Sequence, residues 1–356
     1  MYRIIVYHPD SILLEKIKRL PEDKFRIVGT VDDDTEEILY QEYDYVCIPL
    51  DNYKATKHLL SKYIDISIVH TYEELRVLGS ERNINEYYFE QWKACEERGI
   101  KPFDGKTVLI FGGGSGIGYA CAEAFTLSGA NVMIAGRNEK KLMDAVEKLG
   151  HNAKCVPWDI TDVSAYGDML EKALEMSSND IEIVINSAGI CDGETVSLFD
   201  VSEDVYDTVM DTNLKGAYFL SQCFARYFIE KRIAGHIVHV ISEQGSYPTV
   251  KPYGMSKWGL WGLTKGLGLT LAKYNITVNG IAPGEVATDM TGWGSGSKGF
   301  EPARKGPQTG RVLFSREVAD AILFLAGKTG ENMPGEVILY DGGTVAGVYR
   351  LQLLNN

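Results

Sequence analysis

The sequence predicts an α/β fold with a doubly wound parallel sheet of about seven strands, preceded by a small α/β domain. Three observations support this prediction. At residues 106–111 an apolar run with strand character leads into a glycine-rich turn and then a helical pattern. A second strand pattern ends at Ser242 and is followed by a loop and a helical segment at 254–274. Of the 356 residues, 45% are hydrophobic, which is enough for a substantial core, and about 250 residues suit one such sheet.

The glycine-rich turn indicates a dinucleotide site. Residues 112–118 read Gly-Gly-Gly-Ser-Gly-Ile-Gly. A glycine pattern alone is weak evidence, but the order strand, glycine turn, helix is the context in which such a pattern binds a dinucleotide. The glycines allow a tight turn, and they let backbone N–H groups and the helix N-terminus approach a pyrophosphate.

Candidate catalytic residues follow a later strand. Tyr253 and Lys257 are four residues apart, so a helix places both side chains on one face. An ammonium beside a phenol favours the phenolate, so we expect Lys257 to lower the Tyr253 pKa from its usual value of about 10. The same spacing occurs at Tyr227/Lys231, which the pattern predicts as a helix surface within residues 201–231. Only the Tyr253 pair opens a helix after a strand and loop that carry a serine, Ser242.

These motifs, taken in order, resemble the short-chain dehydrogenase/reductase family over about residues 104–347. Several segments match family landmarks in order. They are the glycine loop, the Asn186-Ser187-Ala188-Gly189 stretch, Asn213, the set of Ser242, Tyr253 and Lys257, residues 278–284 with Thr288, and residues 340–343. Phe111 and Ser187 depart from the usual Thr and Asn. The resemblance implies a Rossmann sheet and a catalytic set of Asn213, Ser242, Tyr253 and Lys257. The predicted cofactor-binding residues are Gly112, Ser115, Gly116, Ile117, Gly118, Arg137, Asp159, Ile160, Asn186, Ala188, Gly189, Tyr253, Lys257, Pro283, Gly284, Val286 and Thr288.

The charge at the end of the second strand favours NADP(H) over NAD(H). Enzymes that choose NAD usually place a carboxylate there to bind the ribose hydroxyls. Here the strand ends in Gly-Arg137-Asn, and a guanidinium suits a 2′-phosphate. The alternative is that Arg137 stacks on the adenine and accepts either cofactor.

Composition narrows the class of partner. The net charge of −13 argues against nucleic acid or an anionic membrane surface as the main partner. No stretch has the length and apolarity of a membrane span. The six cysteines are scattered, which is typical of free thiols in a reducing cytoplasm, and no ligand pattern predicts a metal site. The family resemblance implies a homo-oligomer, either a tetramer or a dimer, built through helices at 201–231 and 251–274.

The first hundred residues have no assigned chemistry. Alternating strand and helix patterns predict a small Rossmann-like or receiver-like domain at 1–80, a helical linker at 81–103 and the catalytic domain at 104–356. The first strand lacks a glycine loop after it. The acidic run at 32–34 is interpreted as a solvated helix start rather than a metal or phosphoacceptor site. The expected role of this domain is assembly, docking or covering the substrate.

The substrate is the least determined feature. The variable segment 288–311 carries Trp293, Lys298, Arg304 and Lys305, whose cations either attract an anionic substrate or are simply solvated. The predicted reaction interconverts a carbonyl and an alcohol of a sugar, polyol or other anionic small molecule. Two alternatives stay open at this stage. One is a catalytically silent cofactor-binding scaffold or regulator, and the other is a sugar epimerase or dehydratase that retains NAD.

Overall fold

The computed structural model describes four strands within residues 2–71 and most of the chain from 87 to 345. Within that second part the gaps are 151–152, 178, 193–197, 292–308 and 310–311. The chain divides into two compact units, one containing the four N-terminal strands and one containing all later described elements. Each unit is described by itself.

The N-terminal unit contains one parallel sheet. Its strands are β1 (Tyr2–Tyr7), β2 (Phe25–Val31), β3 (Tyr45–Ile48) and β4 (Val69–Thr71). They pair in the order β2-β1-β3-β4. The segments between them, including the acidic run at 32–34, lie outside the described residues. The small α/β domain therefore stays a prediction.

The second unit is built on a seven-stranded parallel sheet, which confirms the predicted number and direction of the strands. The strands are β5 (Thr107–Phe111), β6 (Asn131–Gly136), β7 (Ala153–Pro157), β8 (Ile183–Asn186), β9 (His236–Val240), β10 (Thr277–Pro283) and β11 (Val337–Tyr340). Their order is β11-β10-β9-β8-β5-β6-β7. Strands β6 and β7 follow β5 on one side of the sheet, and strands β8 to β11 follow one another on the other side of β5.

Helices cover both faces of this sheet. They are α1 (87–97), α2 (Gly116–Leu127), α3 (Glu139–Leu149), α4 (Tyr166–Met176), α5 (Glu203–Met210), α6 (Gly216–Lys231), α7 (Pro252–Leu271) and α8 (Ser315–Ala326). Buried side chains of α1, α2, α3 and α8 form one core layer, and those of α4, α6 and α7 form the other. Strand β5 contributes to both layers, because successive side chains of a strand point to opposite faces of the sheet. Val108 and Ile110 enter the first layer, and Leu109 and Phe111 enter the second.

The predicted helix at 201–231 is confirmed as one helical stretch from 203 to 231. Within it, a π-helical turn, Asp211–Lys215, joins α5 to α6. The sequence did not predict this turn, and such turns are frequent at functional sites. The predicted helix surface at Tyr227 is wrong. Tyr227 is buried in the second core layer, and its hydroxyl donates to Asp180 Oδ1 at 2.9 Å.

Helix α1 packs onto the second unit. Trp92 is buried in the first core layer, and its Nε1 donates to Asp320 Oδ1 on α8 at 2.8 Å. The Arg316 guanidinium lies 4.5 Å from the centre of the Phe89 ring and also pairs with Glu123 on α2 at 2.6 Å. This part of the predicted linker is therefore an integral layer of the compact unit that begins at Asn85.

Two observations concern the described residues as a whole. Among them, no helix combines the length and apolarity needed to cross a membrane. The five cysteines whose side chains are described, at positions 95, 121, 155, 191 and 223, are free thiols.

Candidate active site

The site lies where the strand order reverses. Strands β5 and β8 are neighbours, and the loops that follow them leave their carboxyl ends in opposite directions. In an open parallel sheet this switch point is where ligands bind, because the diverging loops leave a crevice. The glycine loop follows β5 and the Ser187–Gly189 stretch follows β8, so both border the same cleft.

The glycine loop fits a dinucleotide phosphate. Gly112 has a φ of +74°, and a Cβ there would stand 2.8 Å from the Ser187 backbone. A Cβ on Gly118 would stand 2.3 Å from the Gly112 carbonyl oxygen, so only glycine lets α2 begin this close to the turn. The α2 N-cap, Ser115, makes no side-chain capping bond, and the first turn carries no acid. The helix therefore presents backbone N–H groups and a positive dipole end to an anion.

Three reactive side chains converge on this cleft. Ser242 follows β9, Tyr253 lies in the first turn of α7, and Lys257 lies one turn later. All three line the cleft beside the glycine loop. Ser242 Oγ accepts from the Gln244 N–H at 3.2 Å and acts to lower the pKa of the nearby Tyr253 phenol. Lys257 Nζ donates to the Val240 carbonyl at 3.0 Å and lies 5.7 Å from the centre of the Tyr253 ring.

The ionisation of Tyr253 runs opposite to the sequence expectation. Burial raises its pKa to about 12, only partly offset by Ser242, with further increases from Cys191, Asp192 and Glu243. Burial also lowers the pKa of Lys257 to about 8, because a desolvated ammonium is disfavoured. The expected lowering of the phenol pKa by Lys257 is thus wrong for this geometry, because burial raises the pKa. Tyr253 holds its proton at neutral pH.

Asn213 stands directly behind the cleft. The π-turn carries it inward, and its side chain is buried. Its Oδ1 accepts from the Ile190 N–H, and its Nδ2 donates to the Ile190 carbonyl, both at 2.9 Å. A Cβ on Gly189 would stand 3.3 Å from Asn213 Oδ1 and 3.4 Å from Lys257 Nζ. The amide and the amine therefore meet beside the same glycine.

The structure gathers most of the predicted site residues in the cleft and leaves others outside it. Those that line the cleft are Gly112, Ser115, Gly116, Ile117, Ala188, Gly189, Ser242, Tyr253, Lys257, Pro283, Gly284, Val286 and Thr288. Those that do not line it are Gly118, Arg137, Asp159, Ile160, Asn186 and Asn213. The segment with Trp293, Lys298, Arg304 and Lys305 lies outside the described residues.

Each predicted residue outside the cleft has an evident local setting. Asp159 Oδ1 accepts from the Thr161 N–H at 2.9 Å, and Ile160 is buried in the second core layer. Asn186 is buried and accepts from the Ala188 N–H at 3.3 Å. Arg137 is exposed just beyond β6. Nearby, the Lys141 stem lies 3.4 Å from the position of a Cβ on Gly114, and its Nζ lies 3.9 Å from Asp289 Oδ2.

Several lining residues were missed by sequence reasoning. Val240, Ile241, Asp289, Met290 and Thr291 also border the cleft. Val240 and Ile241 directly precede Ser242, so their place at the strand end was a usable signal. The last three form a short 3-10 turn after Thr288. That turn is held by the Thr291 hydroxyl, which donates to the Val286 carbonyl at 2.7 Å, a contact that no motif predicts.

A parallel sheet with a glycine loop at its switch point defines a Rossmann-type nucleotide-binding unit. The family model described as short chain dehydrogenase matches residues 106–295. A 3-oxoacyl-(acyl-carrier-protein) reductase of Thermotoga maritima is 37% identical over 248 residues, covering 68% of this chain and 98% of that protein. Gluconate 5-dehydrogenase of Gluconobacter oxydans is 32% identical, covering 67% of this chain and 94% of that protein.

Solved structures give the same result. The crystal structure of an actinorhodin polyketide ketoreductase with NADPH superposes with a TM-score of 0.60 at 25% identity, covering 67% of this chain and 96% of that one. The chain therefore belongs to the short-chain dehydrogenase family, a family of NAD(P)-dependent oxidoreductases.

Proposed function

We propose that the protein reduces a small-molecule carbonyl compound to an alcohol, and oxidises it in reverse, with Tyr253 as the acid and base and NADP(H) as the preferred cofactor. The observation that carries this proposal is the convergence of Ser242, Tyr253 and Lys257 on the cleft bordered by the glycine loop. The groups that would hold a proton at an oxygen thus lie beside the groups that would hold a dinucleotide.

The proposed chemistry assigns one role to each side chain. A bound nicotinamide supplies the hydride to the carbonyl carbon or accepts it from the alcohol. Ser242 donates a hydrogen bond to the carbonyl oxygen, and Tyr253 transfers its proton to that oxygen as the C–H bond forms. Lys257 is placed to bond the nicotinamide ribose and favours the phenolate that remains. Asn213 positions a water that connects Lys257 to solvent. Because Tyr253 is protonated at neutral pH, the resting site suits reduction.

A matched pair of variants tests the acid. Tyr253→Phe keeps the ring and removes the hydroxyl, so turnover should fall at least about a hundredfold while NADPH binding stays near normal. Tyr247→Phe is the control, because Tyr247 also precedes a lysine by four residues but does not line the cleft. Retention of full activity by Tyr253→Phe, measured as NADPH oxidation, contradicts the proposal.

The preference for NADP(H) is supported by charge. Arg137 is exposed beyond β6, where no acid stands before Glu139, and Lys141 lies against the glycine loop. Arg137→Ala should raise the KM for NADPH by roughly tenfold or more, the value of a charged hydrogen bond, and leave the KM for NADH nearly unchanged. Lys148→Ala, at the far end of α3, is the control. An equal effect on both cofactors would instead support simple stacking of Arg137 on the adenine.

For the substrate we propose a sugar, polyol or related anionic carbonyl compound. One relative carries the name gluconate 5-dehydrogenase, and others carry the name of a reductase of acyl-carrier-protein thioesters. Keto-gluconates, phosphorylated ketoses and 3-oxoacyl thioesters, assayed side by side with NADPH, separate these classes. Turnover of the acyl thioester alone would overturn the polyol proposal and leave the reaction type intact.

We also propose a homo-oligomer built through the face of α6 and α7. This face leaves large apolar side chains in solvent: Trp258 is 65% exposed and Leu269 is 74% exposed. Such a cluster suits a contact with a second copy. The small α/β domain at 1–80 remains our proposal for the N-terminal region, with a role in assembly or docking.

A further inference from the structure

Tyr253 is held by a contact that neither the motifs nor the family landmarks include. Its backbone N–H donates to Asp192 Oδ2 at 3.1 Å, across 61 positions of sequence. Asp192 lies in the loop after β8, three residues beyond the cleft-lining Gly189. The carboxylate thus joins the loop on one side of the cleft to the helix that carries the reactive phenol on the other.

Helix α7 needs this partner because it does not cap itself. Its N-cap is Lys251, which makes no side-chain capping bond, and its first residue is Pro252, which has no N–H. The first N–H of the helix therefore belongs to Tyr253. A carboxylate at that point satisfies an otherwise orphaned donor and complements the positive end of the helix dipole.

The loop itself is fixed at a neighbouring point. Asn213 binds both the N–H and the carbonyl of Ile190 at 2.9 Å, two residues before Asp192. The chain from Gly189 to Asp192 is therefore tied to the π-turn at one end and to α7 at the other. A change at Asp192 would release the Tyr253 end of this connection and leave the Asn213 end in place.

Asp192 also contributes to the charge around the phenol. The groups that face Tyr253 are Ser242 and Glu243 from the turn after β9, Cys191 and Asp192 from the loop after β8, and Lys257 from α7 itself. Ser242 lowers the phenol pKa, whereas Cys191, Asp192 and Glu243 raise it. Removal of the Asp192 charge should therefore move the pKa of Tyr253 downward.

We propose that Asp192 is a positioning residue that sets the place of the Tyr253 hydroxyl in the cleft through the Tyr253 N–H. This inference rests on the proposed role of Tyr253 as the acid. It predicts that two properties of Asp192, the hydrogen-bond acceptor and the charge, have separable effects on the reaction.

Two substitutions separate the properties. Asp192→Asn keeps an acceptor oxygen and removes the charge, and Asp192→Ala removes both. In the full chain, with NADPH and the substrate of highest turnover, Asp192→Ala should lower kcat by roughly ten- to a hundredfold, the scale of a misplaced reacting group. Asp192→Asn should stay within about threefold of the parent, since Asn and Asp are comparable caps. With NADP+ and the corresponding alcohol, both should shift the pH limb of kcat/KM for oxidation to lower pH, because oxidation uses the phenolate and the phenol loses its proton earlier.

Ser202→Ala is the matched control. Ser202 caps the N-terminus of α5 by accepting from the Val205 N–H at 3.3 Å, so its loss removes a helix cap away from Tyr253. It should lower thermal stability without a change in kcat or in the pH limb. A pH limb that moves equally in Ser202→Ala reports general destabilisation and overturns the inference.

The remaining outcomes are also decisive. Parent-like kcat and pH limb in Asp192→Ala overturn the role of Asp192 alone, provided that Tyr253→Phe loses turnover. Turnover retained by Tyr253→Phe overturns the proposed function and, with it, this inference. If Asp192→Ala does not fold, a parent-like pH limb in Asp192→Asn overturns the charge effect, and a downward shift with retained kcat supports it. NADPH binding, followed by nicotinamide fluorescence, should stay near normal in both Asp192 variants.

Discussion

Ionisation of Glu243 should lower the free energy of unfolding at neutral and alkaline pH. This residue follows Ser242 in a short 3-10 turn, and among the described residues its Oε2 is buried without a hydrogen-bond partner. Burial raises the pKa of Glu243 to about 7, with further increases from Asp341 and Glu285 and a partial offset from Thr344. Asp341 accepts from the N–H groups of Gly343 and Val345 at 2.9 and 2.7 Å.

The sign and size follow from the two states of the carboxyl. The pKa rises from 4.5 in the reference state to about 7 in the fold, so the folded protein binds the proton more tightly. Ionisation therefore removes stability as the pH rises from about 4.5, and the penalty is complete above about 7. At about 1.36 kcal/mol per pKa unit the full penalty is roughly 3 kcal/mol. Solvent near this partly exposed side chain reduces it to about 1–2 kcal/mol.

Glu243→Gln is the perturbation that tests this reasoning, because the amide copies the shape of the neutral acid. Urea unfolding followed by tryptophan fluorescence gives the free energy of unfolding at several values between about pH 5.5 and 8.5. The free energy of unfolding of the variant should increase relative to that of the parent as the pH rises. Above about pH 7 the difference should become constant at about 1–2 kcal/mol in favour of the variant. Glu147→Gln, at an exposed position on α3, is the control and should show a constant difference. A variant that is less stable than its parent at high pH, or a difference that does not change with pH, refutes the argument.

Four further predictions follow from packing and exposure. Trp92→Ala should lower the free energy of unfolding by about 3–5 kcal/mol, the cost of deleting a buried indole, and parent-like urea unfolding would mean that α1 does not stabilise the second unit. Gly118→Ala should raise the Kd for NADPH, since its Cβ would stand 2.3 Å from a loop carbonyl oxygen; unchanged affinity in a fluorescence titration would contradict the close approach. In Gly167→Ala, on α4, the new Cβ meets nothing within 4 Å, so thermal unfolding should show a gain of about 0.5–1 kcal/mol, and a loss would mean that a neighbour crowds the new methyl group. Trp258→Glu should reduce the oligomeric mass measured by light scattering, and an unchanged mass would place the subunit contact elsewhere.

The sequence was sufficient for the type of sheet, with about seven parallel strands, and for the motifs of the cleft. Continuous apolar runs predict strands buried on both faces, and β5 is buried at every position. The switch point follows from the same pattern, because the glycine loop and the Asn186-Ser187-Ala188-Gly189 stretch each come directly after a strand. These features are local: each depends on the residues of one strand and the turn beyond it.

Several features were wrong or absent at the sequence level because they depend on distant partners. Tyr227 has the spacing of a surface residue, yet its burial depends on α6 packing over the sheet and on Asp180. The π-turn at 211–215 is a difference in backbone pairing within a helical stretch. The cleft-facing turn after Thr288 depends on hydrogen bonds that involve the Thr291 side chain.

What the sequence determined by itself is the chemistry available: a phenol, an amine and a hydroxyl placed next to strand ends, and a glycine turn able to accept a phosphate. What only the tertiary structure decided is the state of those groups. The pKa of Tyr253 depends on how much water the fold removes around the phenol, and its backbone N–H donates to a carboxylate 61 residues away. Desolvation and long-range contacts are sums over the packed molecule, so no single segment of sequence contains them.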